Sequence, residues 1–520
     1  MSIKHRTTDK GLSTVPGLVD NLTVNGVDFK KILHKIKKHG TICIITIIII
    51  TIIKEMDKMF IGREKELQFL NERYESNKAE LIVLYGRRRV GKTETLKEFC
   101  KDKPNVFYSC KECTDNEQLQ SFSQIILQKD IPASKYIKSF ANWEQLFKSI
   151  LELNNKGKKL LIIDEFPYMV KNNKEIPSIL QNLWDNVLKE ENVMIILCGS
   201  SMSFIEKEIL AEKNPLYGRA TGIYKMTQMD FYDAIKFFPK YSLEDKIYAY
   251  SILGGIPHYL KEFDVTKSIK QNIQDNILKK GCILYNEVNF MLHQELREIT
   301  MYNTIIEAIA LGNTKLNDIY LKTNIEKTKI IAYISNLIEL GIIEREFSAD
   351  DKIKAQANNQ RGLYKLTDNF FKFWYTYVFP NTSALELGDT KGVYDLYIKD
   401  TLNHFASSSF ENICIDYLNL ENIKGTLPFR FKTIGRWWDN NNNEIDIYAT
   451  DGKSLLLGEC KFKNSKVTIA DYQDLKNKCC NEMPKYYYIF SKSGFKENLI
   501  ELSKDENIKL ISLEEICNEA

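Results

Sequence analysis

The 520-residue sequence has no excess of either charge: 72 lysines and arginines face 69 aspartates and glutamates, a net of +3. A global basic field is therefore excluded, and any nucleic-acid contact must come from local patches. The sequence also lacks an apolar run of membrane-spanning length. Its most apolar stretch, Thr41–Ile53, reads TICIITIIIITII and falls short of the about 18–20 residues a spanning helix needs. With a mean hydropathy of −0.31, a polytopic membrane protein is excluded. The 11 cysteines show no even spacing, which argues against a disulfide scaffold and for reduced thiols in the cytoplasm. Cys110 and Cys113 form a C-x-x-C, but no second Cys or His pair completes a zinc site.

What is present is a chain 44% hydrophobic and 27% charged, which can fold and bury two to four cores. Residues 1–58 stand apart. Lys35, Lys37 and Lys38 precede the Ile-rich run, and no small-residue cleavage site follows it. Three readings are open. The segment is an upstream stretch translated from a misassigned start, with Met56 or Met59 the true beginning; it is a weak membrane anchor; or it is a buried, aggregation-prone strand.

Leu81–Tyr85 is a short apolar run that reads as a buried strand. It leads straight into Gly86-Arg87-Arg88-Arg89-Val90-Gly91-Lys92-Thr93, and Glu94–Cys100 then reads as a helix. This is G-x-x-x-x-G-K-T between strand and helix, and Gly86, Arg87, Arg88, Arg89, Val90, Gly91, Lys92, Thr93 and Glu94 are expected to contact a bound nucleotide. Glycines let backbone amides curl around phosphate oxygens, and the helix N-terminus adds its dipole. Lys92 reaches the β- and γ-phosphates, and the Thr93 hydroxyl ligates Mg²⁺. An acidic pair at a second strand end, Asp164 and Glu165 after Leu160–Ile163, completes the logic. Asp164 holds Mg²⁺ directly or through water. Glu165 either orients the attacking water or is a merely solvated carboxylate.

A strand-like run at Asn105–Ser109, falling between the loop and the acidic pair, predicts an additional-strand ATPase core. A third strand, Asn192–Cys198, ends in Gly199-Ser200-Ser201. Ser200 either senses the γ-phosphate or lytic water, or simply ends the strand. Arg219 follows in a loop. It supplies charge to the transition state, in cis or between subunits, or it forms a surface ion pair.

Together, FIGREKEL (60–67), GRRRVGKT (86–93), LIIDEFPYM (161–169), CGSSMSF (198–204), NPLYGR (214–219) and GGIPHYL (254–260) resemble the archaeal-type ATPase family, a branch of the AAA-like, STAND-related P-loop ATPases. The resemblance implies that Ile61 and Gly62 contact the nucleotide. It also implies that Gly255-Ile256-Pro257 links nucleotide state to the next domain.

Farther on, Glu295–Ala310, Thr314–Lys322 and Ile325–Leu340 read as helices. The last carries Ile330, Ile331, Ile334, Leu337 and Ile338 as one apolar stripe. Strands at 342–347 and 362–367 then make three helices plus a hairpin, a winged helix. Lys327 and Lys329 touch DNA phosphates in one reading; in the other the module only packs beside the core. Past an aromatic-rich junction (366–375), Phe405–Leu418 reads as a helix containing Glu411. Strands at 444–449 and 455–461 follow, with Glu459 and Lys461 alternating onto one face and Cys460 pointing away. Asp446, Glu459 and Lys461 form the D…E-x-K pattern of restriction-endonuclease-like folds. Asp446 and Glu459 would coordinate Mg²⁺, Lys461 would position the nucleophile, and Glu411 would add a metal contact. The segments SSSFENICIDYL (407–418), RWW (436–438), EIDIYA (444–449), LLGECKF (456–462) and FSKSGF (490–495) resemble the nuclease-like domain often fused behind archaeal-type ATPases.

The expected architecture is therefore α/β: an N-terminal extension (1–58), an additional-strand P-loop core (59–260), a helical and winged-helix region (261–380) and a restriction-endonuclease-like domain (381–520). The expected activity is ATP binding and hydrolysis with Mg²⁺, coupled to nucleic-acid (DNA) binding or cleavage in the cytoplasm, with a homo-oligomer as an option. The alternatives are a STAND-like ATP switch whose C-terminal fold is an inactive interaction module, and a chaperone-like nucleotide-binding module.

Overall fold

The strand Glu80–Tyr85 (β1) is apolar after its first residue because both of its faces are covered. In the computed structural model, the residues described are 60–129, 131–153, 157–350, 362–439, 443–478 and 482–518, with the backbone of two short strands, Thr23–Val24 and Val27–Asp28. The chain forms two compact units, Met1–Ile61 and Gly62–Ala520. In the first, the two short strands pair antiparallel. The Ile-rich run, Met56 and Met59 lie outside the described residues.

In the second unit β1 joins Asn105–Ser109 (β2), Lys159–Asp164 (β3), Val193–Gly199 (β4) and Gly222–Lys225 (β5) in a five-stranded sheet of order β2-β3-β4-β1-β5. All neighbours are parallel. The strand inserted between β1 and the acidic strand β3 is β4, while the sequence-predicted extra strand β2 takes the edge beyond β3.

Pleating sends alternate side chains to opposite faces. Leu81 and Val83 pack with Phe122, Trp143, Phe147 and Leu183 from helices Asp115–Leu127 (α3), Trp143–Lys148 (α4) and Ile176–Asn186 (α6). Ile82 and Leu84 pack with Leu70, Leu96 and Phe99 from Glu64–Glu75 (α1) and Lys92–Cys100 (α2). Phe166–Asn172 (α5) follows β3.

The second of these cores does not stop at the sheet. It continues through Leu243–Leu253 (α7), Ile283–Glu295 (α8), Ile299–Ala310 (α9), Leu316–Thr323 (α10) and Lys327–Glu339 (α11) to Phe371, Trp374 and Phe405. The nucleotide-side layer and the helical region therefore share one apolar interior. In α11 the buried stripe is Ile330, Ile334 and Leu337. Ile331 and Ile338, expected on the same stripe, are exposed at 54% and 40%, because each sits one residue, about 100° of helical rotation, past a buried position. The strands Ile343–Glu346 (β6) and Leu363–Leu366 (β7) pair antiparallel as a hairpin after α11. A short helix, Asn369–Phe373 (α12), begins three residues after the end of β7.

The 23-residue helix Leu402–Lys424 (α13) covers one face of a mixed sheet. Its strands are Thr433–Trp438 (β8), Glu444–Thr450 (β9), Leu455–Lys461 (β10), Lys485–Ser491 (β11) and Ile508–Ser512 (β12), in that order. The helix Ile469–Asn477 (α14) lies on the other face, with Tyr472 and Leu475 buried against Leu455 and Leu457. Among the described residues no helix is long and apolar enough to cross a membrane.

Candidate functional site

The loop between β1 and α2 delivers its backbone to the N-terminus of a nine-residue helix. Gly91 caps that helix at φ +94°, which favours glycine. Lys92 is buried, and its ammonium donates to Gly86 O at 2.8 Å and Arg87 O at 3.0 Å, so the charge is held across the mouth of the loop. Burial lowers its pKa, while Glu165 and Asp164 act to raise it. Thr93 Oγ1 donates to Asp164 Oδ2 at 2.8 Å. Asp164 Oδ1 accepts from the Glu165 amide at 3.0 Å. Glu165 stands at φ +52°, a left-handed conformation unusual outside glycine and enriched at functional sites. Ser200, at the end of β4, donates to Glu165 Oε1 at 2.7 Å. Parallel neighbours ending at one level explain the convergence: β1, β3 and β4 all point their C-terminal ends at the same edge.

The donor set fits a magnesium nucleotide. A hydroxyl and a carboxylate are hard oxygen ligands, and Mg²⁺ commonly takes only one or two carboxylates beside phosphates and waters. A buried ammonium and a helix N-terminus suit a polyphosphate.

The motif downstream also meets the loop. A Cβ at Gly255 would fall 1.8 Å from Met229 O, so only glycine permits that backbone crossing. Pro257 then reaches Gly91, its Cγ lying 3.6 Å from where a Cβ would sit.

Several expected contacts are engaged elsewhere. Arg87 pairs with Asp368 at 2.7 Å, Arg88 with Glu295 at 3.0 Å, and Arg89 with Glu287. Their side chains turn to the helical region, because Asp368 and Glu287 are almost fully buried and need a counter-charge. The three guanidiniums are thus engaged by carboxylates of the helical region. Glu94 makes an exposed ion pair with Lys97 at 2.8 Å, one helical turn on. Arg219 is a surface ion pair: its guanidinium grips both oxygens of Asp185 and the carbonyl of Pro215. Gly62 takes φ +69° at the start of the second unit, and Ile61 ends the first.

Sequence reasoning passed over Arg63. Its buried guanidinium donates to Val90 O at 2.6 Å, Thr227 O at 2.8 Å and Glu66 Oε1 at 2.8 Å, tying α1 to the phosphate loop. The only signal was its place in the FIGREKEL stretch. Glu287, Glu295 and Asp368 were missed because a carboxylate in a helix sequence carries no sign of a distant arginine.

A second cluster lies in the C-terminal sheet. β9 and β10 pair with Ile447 opposite Gly458, and one further step along that antiparallel register sets Asp446 opposite Glu459. Asp446 Oδ2 accepts from the Cys460 amide at 2.8 Å. Burial raises the Asp446 pKa, and Glu459 raises it further. Glu459, 5% exposed, accepts from Lys461 at 2.5 Å and from Lys478 at 3.1 Å. Lys478, unmarked in the sequence, is brought in by the end of α14. A cleft of about 340 Å³ opens here, lined by Glu459, Lys461, Asp471, Asp474 and Lys478 among others. Glu411, expected as a further metal ligand, instead forms an ion pair with Arg436, whose Nε lies 3.3 Å away. Burial raises its pKa first, then Asp446, while Arg436 and Lys372 oppose the rise. Among the described residues, no three His, Cys, Asp or Glu side chains are grouped to hold a metal ion. Cys110 and Cys113 are free thiols.

A family model for an ATPase domain predominantly from Archaea matches residues 60–263. A second, described as Archaea bacterial proteins of unknown function, matches residues 374–475. The uncharacterized protein MJECL04 of Methanocaldococcus jannaschii is 34% identical over 443 residues, covering 84% of this chain and 96% of its own. The uncharacterized ATP-binding protein MJ0423 of the same organism is 56% identical over 45 residues, 9% of this chain and 76% of its own. Among solved structures, the Walker-type ATPase PABY2304 of Pyrococcus abyssi aligns with TM-score 0.46 and 21% identity, over 61% of this chain and 96% of that one. The chain belongs to the family of P-loop ATPases predominantly from Archaea, its ATPase domain at residues 60–263 being joined to a domain of unknown function at residues 374–475.

Proposed function

We propose that this ATPase takes ATP with Mg²⁺ at the 86–93 loop and couples nucleotide state to nucleic-acid binding, or Mg²⁺-dependent cleavage, by the C-terminal cleft. Lys92 and the loop amides bind the β- and γ-phosphates. Thr93 and Asp164 hold the metal, which neutralises phosphate charge when bound. Glu165 accepts the proton of the attacking water, and Ser200 fixes the carboxylate oxygen that does so. The three helices α9–α11 and the β6–β7 hairpin act as a winged helix, with Lys327 and Lys329, both exposed, for phosphates.

The observation that carries the nucleic-acid part is the meeting of Asp446, Glu459 and Lys461 at one end of adjacent strands, beside an open cleft. The test is degradation of plasmid and single-stranded DNA with Mg²⁺, with and without ATP, comparing wild type with Asp446→Ala. Cleavage lost in the variant supports a nuclease, and ATP dependence supports its gating. Binding that weakens with salt but no cleavage supports a DNA-binding module.

A second reading has its own support. Glu459 is held by two ammonium groups and Glu411 by a guanidinium, so the cleft's carboxylates are already compensated. That arrangement favours an ATP switch whose C-terminal fold serves as an interaction module. ATP hydrolysis with neither cleavage nor DNA binding would select it.

A further inference from the structure

The arginines of the phosphate loop lead to a hairpin that also touches the C-terminal cleft. Arg87 Nη1 donates to Asp368 Oδ2 at 2.7 Å, and its guanidinium lies 4.7 Å over the Phe371 ring. Asp368 is fully buried, and its other oxygen caps α12 through the amides of Phe370 and Phe371. Asp368 follows β7 by two residues. On β7, Lys365 bonds Glu344 at 3.2 Å and Glu346 at 3.0 Å, both on β6. Glu346 reaches Arg436 on β8 at 3.7 Å. Arg436 in turn contacts Glu411 at 3.3 Å and Glu444 at 3.6 Å. Just past β6 the main chain itself joins the sheet. The Ala349 amide donates to Arg436 O at 2.8 Å, and the Trp438 amide donates to Ser348 Oγ at 3.2 Å.

We propose that the β6–β7 hairpin is a relay through which occupancy of the phosphate loop changes the C-terminal cleft, with Arg87–Asp368 as its input contact and Glu346–Arg436 as its output. The inference rests on the reading that the loop binds ATP. Phosphate oxygens compete with Asp368 for Arg87. A carboxylate buried this deeply does not tolerate losing its counter-charge in place, so the Asp368–α12 junction shifts and β7 moves with it. The ladder and the Lys365 ion pairs make the hairpin one body. Its displacement redistributes Arg436 among Glu346, Glu411 and Glu444. Coupling of this kind is reciprocal: if nucleotide changes the contacts of Arg436, a change in those contacts must change nucleotide affinity. Contact alone does not establish a path, so the test measures coupling.

The full chain is used. Hydrogen exchange of residues 433–461 is measured with and without ATPγS and Mg²⁺, and binding of a fluorescent ATP analogue is titrated. The relay predicts that nucleotide changes exchange in that segment of the wild type, and that Asp368→Asn binds nucleotide without the change. It also predicts that Arg436→Gln and Glu346→Gln each shift the analogue's Kd about fivefold or more, the lower range of measured couplings. Combining Arg436→Gln with Asp368→Asn should abolish that shift. If Asp368→Asn does not fold, Glu346→Gln, on a part-exposed hairpin, carries the exchange test alone. Wild type that binds nucleotide with unchanged exchange, or Arg436→Gln and Glu346→Gln with wild-type Kd, overturns the relay and leaves the ATP reading standing. Wild type that binds no nucleotide overturns the ATP reading, and the relay with it.

Discussion

At the end of β3 the carboxylates Asp164 and Glu165 are met by hydroxyls, from Thr93 and Ser200. At the paired ends of β9 and β10, Glu459 is met by Lys461 and Lys478, and nearby Glu411 by Arg436. The residue types are similar and both sets sit at strand ends. The difference lies in what remains for an incoming cation. A hydroxyl fixes a carboxylate without cancelling its charge, so Asp164 and Glu165 are oriented by neutral donors. An ammonium at contact distance already cancels it, so a metal at the second site must displace or share a lysine. The donors of one site suit a metal nucleotide; the charges of the other are paired internally.

Four measurements break or sharpen this contrast. The largest effect is expected from Glu165→Gln, which should lower the rate of phosphate release by about 10²–10⁴-fold while leaving binding of an ATP analogue intact. Unchanged turnover would remove Glu165 from the chemistry. Lys92→Ala should lower release by about 10²–10³-fold and weaken binding as well, since it deletes a cation aimed at the phosphates. Wild-type hydrolysis there would mean the loop is not the nucleotide site.

Ser200→Ala should cost about 10–100-fold in kcat with little change in KM, because a hydrogen bond to a charged group is worth ~1.5–3 kcal/mol. A pure KM effect would make Ser200 a binding contact rather than an orienter of Glu165. At the C-terminal cleft, Lys478→Met should tighten Mn²⁺ binding about fivefold, measured in an Asp164→Asn background so that the loop site is silent; one screened charge at contact distance is worth ~1 kcal/mol. No change would show that the lysine does not guard the cleft.

A fifth measurement lies outside both sites and concerns the pH dependence of stability. Burial pushes the Glu287 carboxyl up to about 7 from its ordinary 4.5, against the pull of Arg89. The folded form therefore holds a proton that the unfolded form has released, and stability falls as pH rises from about 4.5 to about 7. Glu287→Gln should flatten that slope in denaturant titrations across this window and leave the slope above it unchanged. An identical slope in the variant would mean that Glu287 is not the group responsible.

Local pattern exposed the phosphate loop, because G-x-x-x-x-G-K-T depends on a few consecutive residues between a strand and a helix. The acidic pair was legible for the same reason: Asp164 and Glu165 end an apolar run that can only be a buried strand. Strand existence was legible, but strand order was not. Nothing in Asn105–Ser109 says that it lies at the edge while Val193–Gly199 lies between β1 and β3. Alternation within LLLGECK put Glu459 and Lys461 on one face. Lys478 was invisible, because its approach depends on how α14 crosses the sheet.

The arginines mark the same boundary most sharply. Arg87, Arg88 and Arg89 sit inside the loop motif, and proximity in sequence suggested the nucleotide. Folding instead brought up Asp368, Glu295 and Glu287, from 207 to 281 positions away for the first two pairs. By itself the sequence determined the local chemistry: which backbone curls, which lysine and hydroxyl face it, and which strand ends in acid. Only the tertiary structure decided where the long charged side chains went. A guanidinium on a flexible stem takes whichever buried carboxylate the packing of the core presents, and that core is assembled from segments the chain spaces far apart.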